Sequence, residues 1–187
     1  QVYLHKTVLA AERMLIAALL RARALAKQGR RPPASPPLAF FLEHEPTRED
    51  FTRNRDELLG QFAQLDDFDI VSGLKSWMAA EDKLLAFLSS SIINRRLFRL
   101  EFRNKPFDEA YLQDVRRDIL AWSGLEAEAL DYLVIRGKES NSAYTKSKDE
   151  ISILHKNGQV LPMSQSTDYD LQSRAVTKYF LCYPKIA

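Results

Sequence analysis

The stretch QVYLHKTVLAAERML places Tyr3, His5 and Lys6 together at the start of what reads as a long apolar helix. A phenol ring can pack on a planar ligand, and an imidazole and an ammonium can contact an anion. A second basic concentration, Arg95, Arg96, Arg99 and Arg103, surrounds an expected helix-to-strand junction. Guanidinium forks suit phosphate geometry, so this group reads either as an anion or nucleotide-phosphate contact or as a solvated basic rim. Arg95 and Arg99 would share one helical face if the helix persists that far.

Little else in the chain is reactive. Its three histidines, His5, His44 and His155, fall in no HExxH, HxxxH or His-Asp arrangement. There is no GxSxG, P-loop or GxGxxG, and six glycines could hardly build a phosphate-cradling loop. Cys182, the single cysteine, sits in an expected strand and reads as a buried structural thiol. It excludes a disulfide framework and a multi-cysteine zinc site, and a reducing cytoplasm is the expected compartment. Asp66, Asp67 and Asp69 stand at a helix start, where capping explains them better than metal binding. No active site is complete here, and no residue set is expected to act as metal ligands.

Hydrophobic residues make up 45% and charged residues 28% of 187, a composition able to bury a core. A net charge of +2 gives no global field favouring nucleic acid or an anionic membrane. Val8–Leu20, the longest apolar run, is interrupted by Glu12 and Arg13 and falls short of the roughly 20 residues a span requires. No small-residue cleavage site follows it either.

These residues need elements to position them. Leu4, Val8, Leu15 and Leu19, with Leu9, Ile16 and Leu20 alongside, predict a helix over Val2–Lys27 buried on most of its circumference and stopped by Gly29. GRRPPASPP, residues 29–37, reads as a proline-stiffened loop, within which Arg30, Pro33 and Pro36 fit an RxxPxxP ligand pattern. LAFFLEH is a short apolar element, and Thr47 with Asp50 forms a capping-box signature. LDDFDIVSGLKSWMAAEDKLLAFLSSSIINRRLF predicts two helices with a short break, or one kinked helix. Beyond it, LFRLEF alternates like a half-buried strand, and FDEAYLQDVRRDILAWSG is an amphipathic helix ending at Gly124. DYLVIRG, EISILHKNGQVLPM and TKYFLCYP read as strands, with Asn157-Gly158 as a hairpin turn and KESNSAYTKSKD as a polar loop. The expected fold is mainly α over residues 1–97, followed by a small α+β lobe over 98–187.

VYLHKTVLAAERML, LDDFDIVSGLKSWMAAEDKLLAFL and IINRRLF resemble the region downstream of the metal site in HD-domain phosphohydrolases. AYTKSKDEISILHKNGQV and KYFLCYPK are similar to the C-terminal lobe of the bacterial members, and the likeness extends more distantly to vertebrate dNTP triphosphohydrolases. The resemblance implies the helical-bundle part of an HD-domain fold. It also implies a reaction in which a His, a His-Asp pair and a further Asp hold one or two divalent metals for hydrolysis. Those ligands are absent here and would lie upstream, so the chain reads as the C-terminal half of such an enzyme. It would supply pocket wall and oligomer contacts and be inactive alone. By the same resemblance Tyr3 would line the substrate pocket. His5, Lys6, Arg95 and Arg99 would face an inter-subunit nucleotide effector, with Arg99 standing where relatives carry a lysine. Implied partners are a nucleotide and further copies of the chain. The alternatives are a non-catalytic helical interaction or regulatory module, and a degenerate HD protein acting as a scaffold.

Overall fold

A computed structural model describes residues 5–141, 152–162 and 176–186. The first helix, α1 (Lys6–Lys27), is rich in alanine, the strongest helix former. Its buried face is Leu9, Ala10, Met14, Ala17, Ala18, Ala22 and Leu25. Small alanines there allow neighbouring helices to approach closely. Val8, Ile16 and Leu20, expected in the core, are exposed instead, so burial follows one stripe and not most of the circumference.

The proline-rich connection is shorter than expected, because Pro36 and Pro37 open α2 (Pro36–Glu43). Proline suits a first helical turn, where its missing N–H would have had no partner. Pro33 is tied in as well, its carbonyl accepting from the buried Trp77 indole at 2.7 Å, and Arg30 lies 3.7 Å from Asp82. The RxxPxxP pattern is therefore spent on internal contacts. Helices α3 (Arg48–Arg53) and α4 (Arg55–Gln64) follow, with the predicted Thr47–Asp50 capping box formed. Helix α5 (Asp67–Trp77) and helix α6 (Lys83–Ile93) are separate, with Asp66 and Asp82 as their N-caps.

Strand β1 (Arg99–Arg103), α7 (Glu109–Ser123), α8 (Leu130–Leu133), β2 (Ile135–Asn141), the hairpin β3 (Ser152–Leu154) and β4 (Val160–Pro162), and β5 (Val176–Tyr183) complete the described chain. Two expectations change here. Asp131–Leu133, read as strand, belong to α8, which follows a 3-10 turn at Ala127–Ala129. Lys138–Asn141, read as loop, extend β2 because each pairs with β5. The rest of the expected polar loop lies outside the described residues. The sheet order is β1-β5-β2, all antiparallel, and β5 is central with Phe180, Leu181 and Cys182 buried. One continuous core joins α1, α2, α5 and α6 to this sheet, α7 and α8. A buried Phe98 N–H donates to Met14 Sδ at 3.2 Å, so α1 directly sets where β1 begins. No described helix is long and apolar enough to cross a membrane.

Candidate functional site

Tyr3 lies outside the described residues. His5 is the N-cap of α1 without a side-chain capping bond, and Lys6 is its first helical residue. Both are exposed, and no acidic residue occupies that first turn. Positive charge at the positive end of the helix dipole is unfavourable, so an anion there would be welcome.

The four arginines of the second cluster separate into two kinds. Arg99 is ion-paired to Glu101 at 3.1 Å. Arg103 lies 4.5 Å from the ring centroids of both Phe107 and Tyr111, and 3.7 Å from Asp108. Arg95 and Arg96 are exposed and carry no ion pair among the described residues. Arg95 and Arg99 do not share a helical face, because α6 ends at Ile93 and Arg99 already belongs to β1.

The way α6 ends is informative. The Arg96 N–H donates to the Ser91 carbonyl at 2.8 Å and the Arg95 N–H to the Ile92 carbonyl at 3.0 Å, which is a Schellman turn. Helix α1 ends identically, with Arg30 N–H to Leu25 and Gly29 N–H to Ala26, both at 2.9 Å. The left-handed position is Gly29 (φ 79°) in α1, but Arg95 (φ 55°) in α6. Among the described residues Arg95 is the sole non-glycine with positive φ. A side chain in that region costs about 1–2 kcal/mol relative to glycine.

Two cavities meet at Lys185. One, about 500 Å³, is lined by Phe87, Ser90, Arg95, Arg96, Trp122 and Lys185 among others, with no acidic residue. Phe87 anchors its aromatic wall, stacked on Phe98 at 6.2 Å and edge-on to Trp122 at 5.9 Å. The other, about 630 Å³, holds Arg99, Tyr111, Asp114, Asp118 and Tyr183. There the Glu101 carboxylate accepts from the Tyr111 hydroxyl at 3.1 Å and from the Tyr183 hydroxyl, and is ion-paired to Arg99. Burial, then the bond to Glu101, pushes the Tyr183 phenol well above its ordinary range. Arg99 is thus committed to an internal network, whereas Arg95 and Arg96 face open space. Trp122, Lys185, Glu101 and Tyr183 were not singled out from the sequence. They meet only because β1 pairs with β5 some eighty residues on, with Arg99 opposite Tyr183.

No group of three or more His, Cys, Asp or Glu among the described residues could hold a metal ion. Asp66 Oδ1 accepts from the Phe68 and Asp69 N–H groups, and Asp69 Oδ2 from the Asp66 N–H, so these carboxylates cap α5. His44 stacks on Phe40 at 4.6 Å. Burial pushes the Cys182 thiol up to about 12, which removes it as a nucleophile at neutral pH.

No protein-family profile matches the chain, and no curated protein does. Among solved structures it is similar to a phosphohydrolase from Bacteroides thetaiotaomicron, at 38% identity and a TM-score of 0.84. The alignment covers 98% of this chain and 46% of that one, so the chain spans about half the length of its structural neighbour.

Proposed function

We propose that this chain is the C-terminal portion of an HD-domain, metal-dependent phosphohydrolase that acts on nucleotides when whole. The observation carrying the phosphohydrolase reading is the 38% identity to the Bacteroides enzyme over 98% of the chain. The described residues do not fit a catalytic metal, so no chemical step is assigned to them. In this proposal the divalent metal and its ligands belong to the remainder of the protein. Tyr3 packs on the substrate, and the chain contributes pocket wall and contacts between subunits. His5, Lys6, Arg95 and Arg99 contact a phosphate-bearing effector. The exposed imidazole of His5 and the ammonium of Lys6, unpaired among the described residues, stand at a helix start and support their part in this. Arg99 would have to leave Glu101 to take part.

The test compares the product of the whole reading frame with the 187-residue chain in phosphate and triphosphate release from deoxynucleoside triphosphates, with manganese or magnesium. Chelator-sensitive hydrolysis by the whole protein alone is the expected result. Chelator-sensitive activity in the short chain, or none in the whole protein, would overturn the reading.

A further inference from the structure

We propose that Asn157 is a site of spontaneous covalent modification, where the Gly158 nitrogen attacks the side-chain amide and converts the residue to aspartate and isoaspartate. The other asparagines, Asn54, Asn94, Asn104 and Asn141, precede Arg55, Arg95, Lys105 and Ser142, whose side chains crowd the attacking nitrogen. Asn157 alone precedes a glycine, where no Cβ stands in the way. Residues 156–159 are all exposed, and a Cβ placed at Gly158 would meet nothing within 4 Å. Solvent base and water therefore reach the β3–β4 turn.

The turn holds both polar atoms of the amide. Asn157 Oδ1 accepts from the Gln159 N–H at 3.0 Å, and Asn157 Nδ2 donates to Gln159 Oε1 at 3.0 Å. The first contact folds the side chain forward along the chain. It also places a donor where negative charge develops once the amide carbon is attacked. One feature opposes the reaction: the Gly158 N–H donates to the His155 carbonyl at 2.9 Å and must be released first. That bond belongs to a hairpin whose strands, Ser152–Leu154 and Val160–Pro162, are three residues each. A two-stranded ladder this short opens at little cost, so the bond slows the reaction without preventing it.

The chemistry balances without an oxidant or reductant. The Gly158 nitrogen gives its proton to solvent base and bonds to Asn157 Cγ. The Cγ–Nδ2 bond breaks, and the nitrogen leaves as ammonia with a proton from water. A second water opens the resulting five-membered imide. Cleavage at Cγ restores the backbone with aspartate, and cleavage at the backbone carbonyl carbon routes the chain through the side chain as isoaspartate. The isoaspartyl form lengthens the turn that sets Leu154 opposite Val160 and Ile153 opposite Leu161. None of this depends on the phosphohydrolase reading.

The test ages the purified 187-residue chain at neutral pH and physiological temperature and follows the tryptic peptide that begins at Asn157, after Lys156. Mass spectrometry with electron-transfer fragmentation distinguishes the two acids. Progressive conversion at Asn157 is expected while the other four asparagines remain amides, with isoaspartate and aspartate both formed. The native rate should lie within about tenfold of the rate in concentrated urea, because local opening of so short a ladder is cheap. Gly158→Ala should slow conversion by about tenfold or more, through the Cβ it adds beside the attacking nitrogen. Alanine is strained at the φ of 82° found here, so the same slowing must appear in urea, where no hairpin exists to be strained. Conversion at Asn157 no faster than at the other asparagines, aspartate as the sole product, a native rate more than about tenfold below the urea rate, or an unslowed Gly158→Ala chain would each overturn the proposal.

Discussion

At the scale of single residues, the tightest constraint is a glycine facing a ring. Gly137 pairs with Phe180 across β2 and β5. A Cβ at Gly137 would fall 2.6 Å from Phe180 Cζ and 2.7 Å from Cε1. Phe180 cannot simply swing away, because it is 2% exposed and the Arg13 guanidinium lies 5.1 Å from its ring centroid. Arg13 is itself held by Glu139. Gly137→Ala must therefore displace a core ring together with the α1 contact above it. Overpacking of this kind costs about 1–3 kcal/mol. Denaturant titration should show that loss, and Phe180→Leu placed behind Gly137→Ala should recover part of it. A Gly137→Ala protein as stable as wild type would show that the ring is free to move.

At the scale of elements, Asp82 joins α1 to α6. Its side chain is 9% exposed and takes two hydrogen bonds from Arg21, at 2.6 and 3.1 Å, while it caps α6 through the Leu85 N–H at 2.9 Å. Burial alone would push this carboxyl up, but the bonds from Arg21 and Leu85 outweigh it and hold it below its ordinary range. A depressed carboxyl contributes stability that is fully present above the unfolded value. That contribution is lost as pH falls from about 4 through the lower folded value. Asp82→Asn should keep the cap, cost about 2–3 kcal/mol at neutral pH through the stranded Arg21, and flatten the acid limb of stability. Asp82→Ala should cost about 1 kcal/mol more, the share of the cap. Thermal unfolding from pH 3 to 7 measures both, and parallel pH profiles for wild type and Asp82→Asn would remove Asp82 from the acid transition. Capping of this sort was legible in the sequence, as Thr47–Asp50 and the Asp66 start of α5 illustrate, because it depends on neighbours three residues apart. Asp131–Leu133 were misread because LDYLVI is a short apolar run whose periodicity suits strand and buried helix alike. The inward face of α1 differs from the expected one because alanines make up most of it, with Leu9, Met14 and Leu25 between them. The Lys185–Trp122 groove was illegible for another reason: its residues come from three segments joined by long-range packing alone.

At the scale of the molecule, apolar surface is left outside a core that is otherwise continuous. Val8, Ile16 and Leu20 are 60%, 39% and 50% exposed, and their spacing in multiples of four sets them along one side of α1. Exposed aliphatic side chains on one side of the longest described helix are the kind of surface that seeks a partner. Glu12, 54% exposed, interrupts it between Val8 and Ile16, whereas Arg13 turns to Glu139 and Arg21 to Asp82, both on other elements. The 187-residue chain should therefore self-associate as its concentration rises. Replacing Ile16 and Leu20 together by lysine should restore a monomer with little change in unfolding free energy, since neither side chain belongs to the buried core and lysine is a good helix former. Sedimentation velocity over a range of concentrations separates the outcomes. A concentration-dependent shift in wild type that disappears in the double variant assigns the contact to this face of α1. A shift that persists assigns it elsewhere, the exposed Phe62 and Phe68 of α4 and α5 being the next candidates. A wild-type protein that sediments as a monomer throughout would mean that Val8, Ile16 and Leu20, divided by Glu12, are too narrow a surface to hold two copies together.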